Sequence, residues 1–134
     1  MKIKYLDNKI IVYLPGNRLT INNIEELNKE IKNIIIKLIK RYNIDFYGYS
    51  KVTIYNNEYY GNILEIEKIY QTYQKIIDLK IIIYRFITMY LEFDDYLFFD
   101  RPKDLIIKDG KYYLKIDKNL NLLKYIEYGK VIYD

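Results

Sequence analysis

Ser50 is the chain's one serine, and Lys51 follows it directly. A serine–lysine pair acts as a nucleophile only when the amine is desolvated and faces the hydroxyl. Neighbouring residues of a strand project to opposite faces, so this pair reads as structural. Glu92, Asp94, Asp95, Asp100 and Asp104 form an acidic cluster of the kind that hard cations such as Mg²⁺ favour. All five fall in one irregular stretch around Pro102, where carboxylates stay solvated, and no metal or other cofactor is assigned to them. Asp109-Gly110-Lys111 matches the Asp-x-Lys half of a nuclease core, but a hairpin turn accounts for Asp109-Gly110 more simply. Pro15-Gly16-Asn17-Arg18 stands before a helical pattern as a candidate anion cradle, with an ordinary turn as the plainer account.

The wider composition narrows the chemistry further. Eighteen of the 134 residues are tyrosine, and histidine, cysteine and tryptophan are absent. No imidazole can act as a base or metal ligand, and no thiolate as a nucleophile or zinc ligand. Large amphipathic rings remain, and these suit binding better than acid–base chemistry. The expectation is a protein without catalytic activity.

Two binding classes follow. In the first, Tyr47, Tyr49, Tyr55, Tyr59 and Tyr60 form a tyrosine-rich sheet surface that binds a protein partner. Tyr47, Tyr49 and Tyr55 point one way and Phe46, Val52 and Ile54 the other, provided Gly48 introduces a one-residue offset. In the second, Lys29, Lys32, Lys37, Lys40 and Arg41 form a basic helical stripe that works with those rings on a nucleic acid. A net charge of +4 favours a polyanion only weakly, because Glu25, Glu26 and Glu30 share the helix. Ile, Lys, Asn and Tyr also share AT-rich codons, so genomic base bias explains much of the tyrosine and lysine excess. It points to an AT-rich bacterium or one of its phages, and a phage-encoded inhibitor of a host factor is a further reading.

The elements that must position these residues are legible from periodicity. Lys2–Asp7 and Lys9–Leu14 read as a hairpin around Asp7-Asn8. Ile24, Leu27, Ile31, Ile34, Ile35, Leu38, Ile39 and Tyr42 recur at helical spacing, with Asn22 or Thr20 as cap and Asn43 as the left-handed close. Phe46–Tyr55 and Glu58–Glu67 read as a hairpin turning at Asn56-Asn57. A short helix is expected near Glu67–Ile77, and a central strand over Leu79–Tyr90. Leu105–Lys108 and Lys111–Ile116 flank the clearest hairpin signal, Asp109-Gly110. A last short helix carries Leu122, Leu123 and Ile126, capped by Asp117 or Asn119, before an edge strand at Lys130–Tyr133. The sum is a single α+β domain over residues 1–134: an antiparallel sheet of hairpins, one long amphipathic helix on one face, and two short helices.

Nothing resembles a signal peptide, and the longest oily stretch, Ile81–Leu91, contains Arg85 and is far short of a membrane span. The absence of cysteine suits a reducing cytoplasm. The expectation is a soluble cytoplasmic protein, with a homodimer through an edge strand such as Lys130–Tyr133 as the cheapest form of self-association. Lys111-Tyr112-Tyr113-Leu114 on the last hairpin, with Glu127-Tyr128-Gly129 closing a helix, resembles the C-terminal domain of MecA-type adaptors. That family hands client proteins to a Clp protease, so the resemblance implies a non-enzymatic adaptor. It supplies no partner-binding residue.

Overall fold

The computed structural model describes residues 2–72, 74–94, 105–118 and 120–133. The fold is mixed α+β and mostly strand. The sequence reading places one domain over residues 1–134, and the contacts gather the chain into two compact units, each with its own sheet. The first comprises Met1–Tyr55 with Gly61–Tyr84, the second Asn56–Tyr60 with Arg85–Asp134.

In the first unit, β1 (Lys2–Leu6) and β2 (Lys9–Pro15) form the expected hairpin, with Leu6 opposite Lys9. The long helix α1 spans Ile24–Tyr42. Its cap is Asn23, a correction to Asn22 or Thr20: Asn23 is the extended residue whose side chain accepts the Glu26 N–H at 3.2 Å. The Thr20 N–H donates instead to the Glu30 carboxylate at 3.0 Å. Replacing Asn23 with alanine is expected to cost about 1 kcal/mol, read from the midpoint of chemical denaturation. Asn43 closes the helix at φ 52°, as its residue type suggests.

The next hairpin forms two residues later than expected. Strand β3 (Gly48–Asn57) continues through Asn56-Asn57, and β4 starts at Gly61 and runs to Tyr70. Asn57 sets this boundary, because its side-chain oxygen accepts the N–H groups of Tyr59 and Tyr60 at 2.9 and 2.8 Å. An Asx-type turn therefore replaces a two-residue one.

The short helix near Glu67–Ile77 does not form. Strand β4 takes Glu67–Tyr70, held where the Lys68 N–H donates to the Asn8 carbonyl at 3.0 Å, and Ile77 opens the next strand. Pairing with a distant strand overrides a four-residue stripe of local periodicity. The central strand over Leu79–Tyr90 also divides. β5 (Ile77–Tyr84) joins the first sheet at its edge, and β6 (Met89–Phe93) belongs to the second. Phe86, at φ 56°, lies between them in a conformation that a strand cannot continue through.

The first sheet has the order β1-β2-β4-β3-β5, and β5 runs parallel to β3. This corrects the expectation of a purely antiparallel sheet, and chain direction supplies the reason. β4 ends beside the start of β3, and β5 starts at that same end, with Ile77 opposite Gly48. Leu27, Ile31, Ile35 and Leu38 of α1 pack on Ile10, Val12, Val52, Ile54, Leu64 and Ile66 of the sheet. Alternation therefore leaves Lys9, Ile11 and Tyr13, Ile63 and Glu65, Tyr49, Lys51, Thr53 and Tyr55, and Lys80, Ile82 and Tyr84 on the face away from the helix.

The second unit holds the sheet β7-β8-β6-β9, with β7 at Ile106–Lys108, β8 at Lys111–Lys115 and β9 at Lys130–Tyr133. Asp109 and Gly110 turn the β7–β8 hairpin with φ of 51° and 76°, as that dipeptide predicts. β9 is an edge strand, as expected. The last helix, α2, is one turn at Leu122–Tyr125. Asn121 occupies its cap position in place of Asp117, and Asn119 lies outside the described residues.

Candidate interaction surface

The face of the first sheet away from α1 is the surface where the chain's aromatic and charged chemistry gathers. Tyr55 and Tyr84 are register partners across β3 and β5, and their rings stack with centroids 5.6 Å apart. Tyr49 stacks on Tyr70 at 5.5 Å. Tyr70 and Tyr84 remain 58% and 48% exposed, so each stack offers an open ring to solvent. Between the rings runs a charged ladder. Lys9 pairs with Glu65 at 3.4 Å, and the Tyr55 hydroxyl donates to the same carboxylate at 3.5 Å. Lys9, Lys51, Thr53, Tyr55, Glu65 and Tyr84 line a depression of about 160 Å³ here.

Tyr13 borders this face. Burial, with the Glu65 carboxylate as the second cause, raises its phenol above the ordinary tyrosine value. The folded protein therefore keeps this proton after the unfolded chain has lost it. The associated stability is whole below the ordinary tyrosine range and declines as pH rises from there through the raised folded value. Tyr13→Phe is expected to flatten that decline, measured as denaturation midpoints from about pH 9 to about pH 11.

The five tyrosines proposed from sequence do not form one surface. Tyr49 and Tyr55 share the open face as expected. Tyr47 precedes β3 and lines a separate cleft with Ile39, Asn43 and Lys75 near the end of α1. Tyr59 belongs to the second unit, where it lines a cleft with Phe86 and Ile87. Tyr60 is 2% exposed and is a packing residue, which removes it from a binding surface. Sequence reading missed Tyr13, Tyr70 and Tyr84. Tyr84 was legible in the alternation of Asp78, Lys80, Ile82 and Tyr84, once a break is placed after it.

The basic stripe also separates from the rings. Lys29, Lys32, Lys37, Lys40 and Arg41 all lie on α1, which packs on the other side of the sheet from Tyr49 and Tyr55. Lys29 pairs with Glu26 at 3.8 Å, and Arg41 lies over the Tyr42 ring. Lys9 and Lys51 line the depression beside Tyr55 and Tyr84.

The other candidate groups take structural positions. Ser50 is buried on the helix side while Lys51 faces the open side, and the Ser50 hydroxyl has no hydrogen-bond partner among the described residues. Ser50→Ala removes an unsatisfied buried group and is expected to raise stability by about 1 kcal/mol in urea denaturation. Glu92 and Asp94 lie 3.3 and 4.0 Å from the Lys111 ammonium. A hydrogen bond to Glu92, reinforced by its charge, raises that ammonium above its ordinary value. Asp95, Asp100 and Asp104 lie outside the described residues. Gly16 is part of a turn in which the Asn17 N–H donates to the Leu14 carbonyl, and α1 begins only at Ile24, so the Pro15–Arg18 segment does not sit at the helix start. No helix among the described residues is long and apolar enough to cross a membrane. Compared with family models, curated proteins and solved structures, the chain matches none.

Proposed function

We propose that the protein is a non-enzymatic interaction module, adaptor-like or inhibitor-like, working in the cytoplasm. It binds a protein partner through the open face of its first sheet. The observation that carries this reading is the Tyr55–Tyr84 stack standing beside the Lys9–Glu65 pair, with Tyr49 and Tyr70 stacked at the end of β4. Rigid rings with few rotatable bonds lose little entropy on binding, and the Lys9–Glu65 pair beside them supplies charge that sets register. The short resemblance to MecA-type adaptors supports the same class. The test is capture of a partner by wild type and its loss when Tyr55 and Tyr84 become serine, with the fold retained.

A nucleic-acid reading keeps one supporting observation. Lys51 and Lys80 stand opposite each other on the open face, and Lys51 lines the same depression as Tyr55 and Tyr84. If a single strand binds there, affinity falls steeply with added salt, and a flat salt response excludes it.

A further inference from the structure

Among the described residues, the outer edge of β5 is the best-formed unpaired edge of the first sheet. β5 is the terminal strand of the order β1-β2-β4-β3-β5 and runs eight residues without proline or glycine. Edge strands are usually blunted by charge, brevity or a break, because their free backbone groups template further pairing. The opposite edge, β1, carries Lys2 and Lys4 over five residues. β5 is instead rich in isoleucine.

Three observations indicate what fits this edge. The Gly48 N–H donates to the Ile76 carbonyl at 2.6 Å, so even-numbered residues turn their backbone groups inward to β3. Ile77, Leu79, Ile81 and Ile83 therefore direct theirs outward. The same four side chains lie on the helix side of the sheet but are only half-buried, whereas Val52, Ile54, Leu64 and Ile66 are fully buried. Among the described residues, the core runs out to this edge only half-covered. On the open face, Lys80 stands opposite Lys51, and neither is ion-paired among the described residues. Directly opposed like charges in a sheet are destabilising.

We propose that β5 pairs antiparallel with β5 of a second copy of this chain, about a two-fold axis at Leu79. Asp78 of each copy then faces Lys80 of the other, in the closely spaced, non-hydrogen-bonded positions of the ladder. The incoming Asp78 offsets the Lys51–Lys80 repulsion. Leu79 meets Leu79, and Ile77 meets Ile81, on the helix side, using the outward backbone groups of those residues. Charge selects this register. An axis at Lys80 would set Lys80 against Lys80, and one at Ile81 would face Lys80 with Ile82. The resulting ten-stranded sheet keeps both tyrosine faces on one side. The edge pairing is independent of what binds that face.

Sedimentation equilibrium of the full chain across a concentration series tests this. A reversible dimer is expected. Asp78→Lys and Lys80→Asp are each expected to weaken it at least about tenfold, since each turns two attractive pairs into repulsive ones. The double swap, with both changes in one chain, restores wild-type affinity because the edge is again self-complementary. Ile81→Pro removes one outward N–H, a change that edge strands tolerate, and abolishes the dimer without relying on charge. Far-UV circular dichroism confirms that each variant folds. A monomer at every concentration overturns the proposal, and so does a dimer that neither single swap nor Ile81→Pro weakens.

Discussion

Gly48→Ala is expected to lower the stability of the first unit by about 2–6 kcal/mol. Two terms add. Gly48 has φ 118°, a region nearly closed to L side chains, which costs about 1–3 kcal/mol. The added methyl group would also collide with the Tyr70 carbonyl oxygen and lie 3.0 Å from the Gln71 Cα, and overpacking against backbone costs a further 1–3 kcal/mol or so. Gly48 begins β3, and its N–H secures β5 through Ile76. The damage therefore falls on the two strands that carry Tyr49, Tyr55 and Tyr84. Gly16→Ala is the control. Gly16 also has positive φ, at 76°, but an added Cβ meets nothing within 4 Å. It is expected to cost about 1–2 kcal/mol. Thermal or urea unfolding followed by far-UV circular dichroism separates the two, and equal losses would contradict the close-approach argument.

The second large effect is on binding. Tyr55→Ser with Tyr84→Ser removes one complete stack from the open face. If these rings are anchors, each truncation costs about 2 kcal/mol or more of binding, so the pair, at about 4 kcal/mol, weakens partner capture by roughly several hundredfold. The fold should survive, because neither ring belongs to the core cluster between sheet and helix. A cross-strand aromatic pair contributes only about 0.2–1 kcal/mol to a sheet. Loss of binding with a retained melting transition is the expected pattern. Loss of the fold instead would make the stack a structural support.

Parts of both units were legible from local signals. Helix α1 followed from apolar residues at three- and four-residue steps, and the turns at Asp7-Asn8 and Asp109-Gly110 from residue types that accept their dihedrals. The misreadings share one cause. Ile69, Tyr73, Ile76 and Ile77 have helical spacing, but the ladder that holds Lys68 against Asn8 is set by residues some sixty positions away. The run from Leu79 to Tyr90 looks continuous in β-branched and aromatic residues, and only the Phe86 backbone shows that it serves two sheets. The candidate set of tyrosines divided for the same reason. Tyr49 and Tyr55 share a face because they are an even number of residues apart within one strand, which the sequence displays. Their neighbours Tyr70 and Tyr84 come from other strands, by register that no local pattern encodes. The turn residues Tyr59 and Tyr60 were grouped with the others by proximity in sequence alone, and Asn57 draws both into a tight turn.

The central claim is that this chain works by contact through the tyrosine face. Side-by-side capture from a lysate of the encoding organism tests it most directly, using wild type, the Tyr55→Ser/Tyr84→Ser variant, and a Lys37→Ser/Lys40→Ser variant altered on the helix. The expected result is a specific protein retained by wild type and the helix variant and lost from the tyrosine variant. A protein retained equally by the tyrosine variant, or lost only when the helix lysines change, would contradict the account.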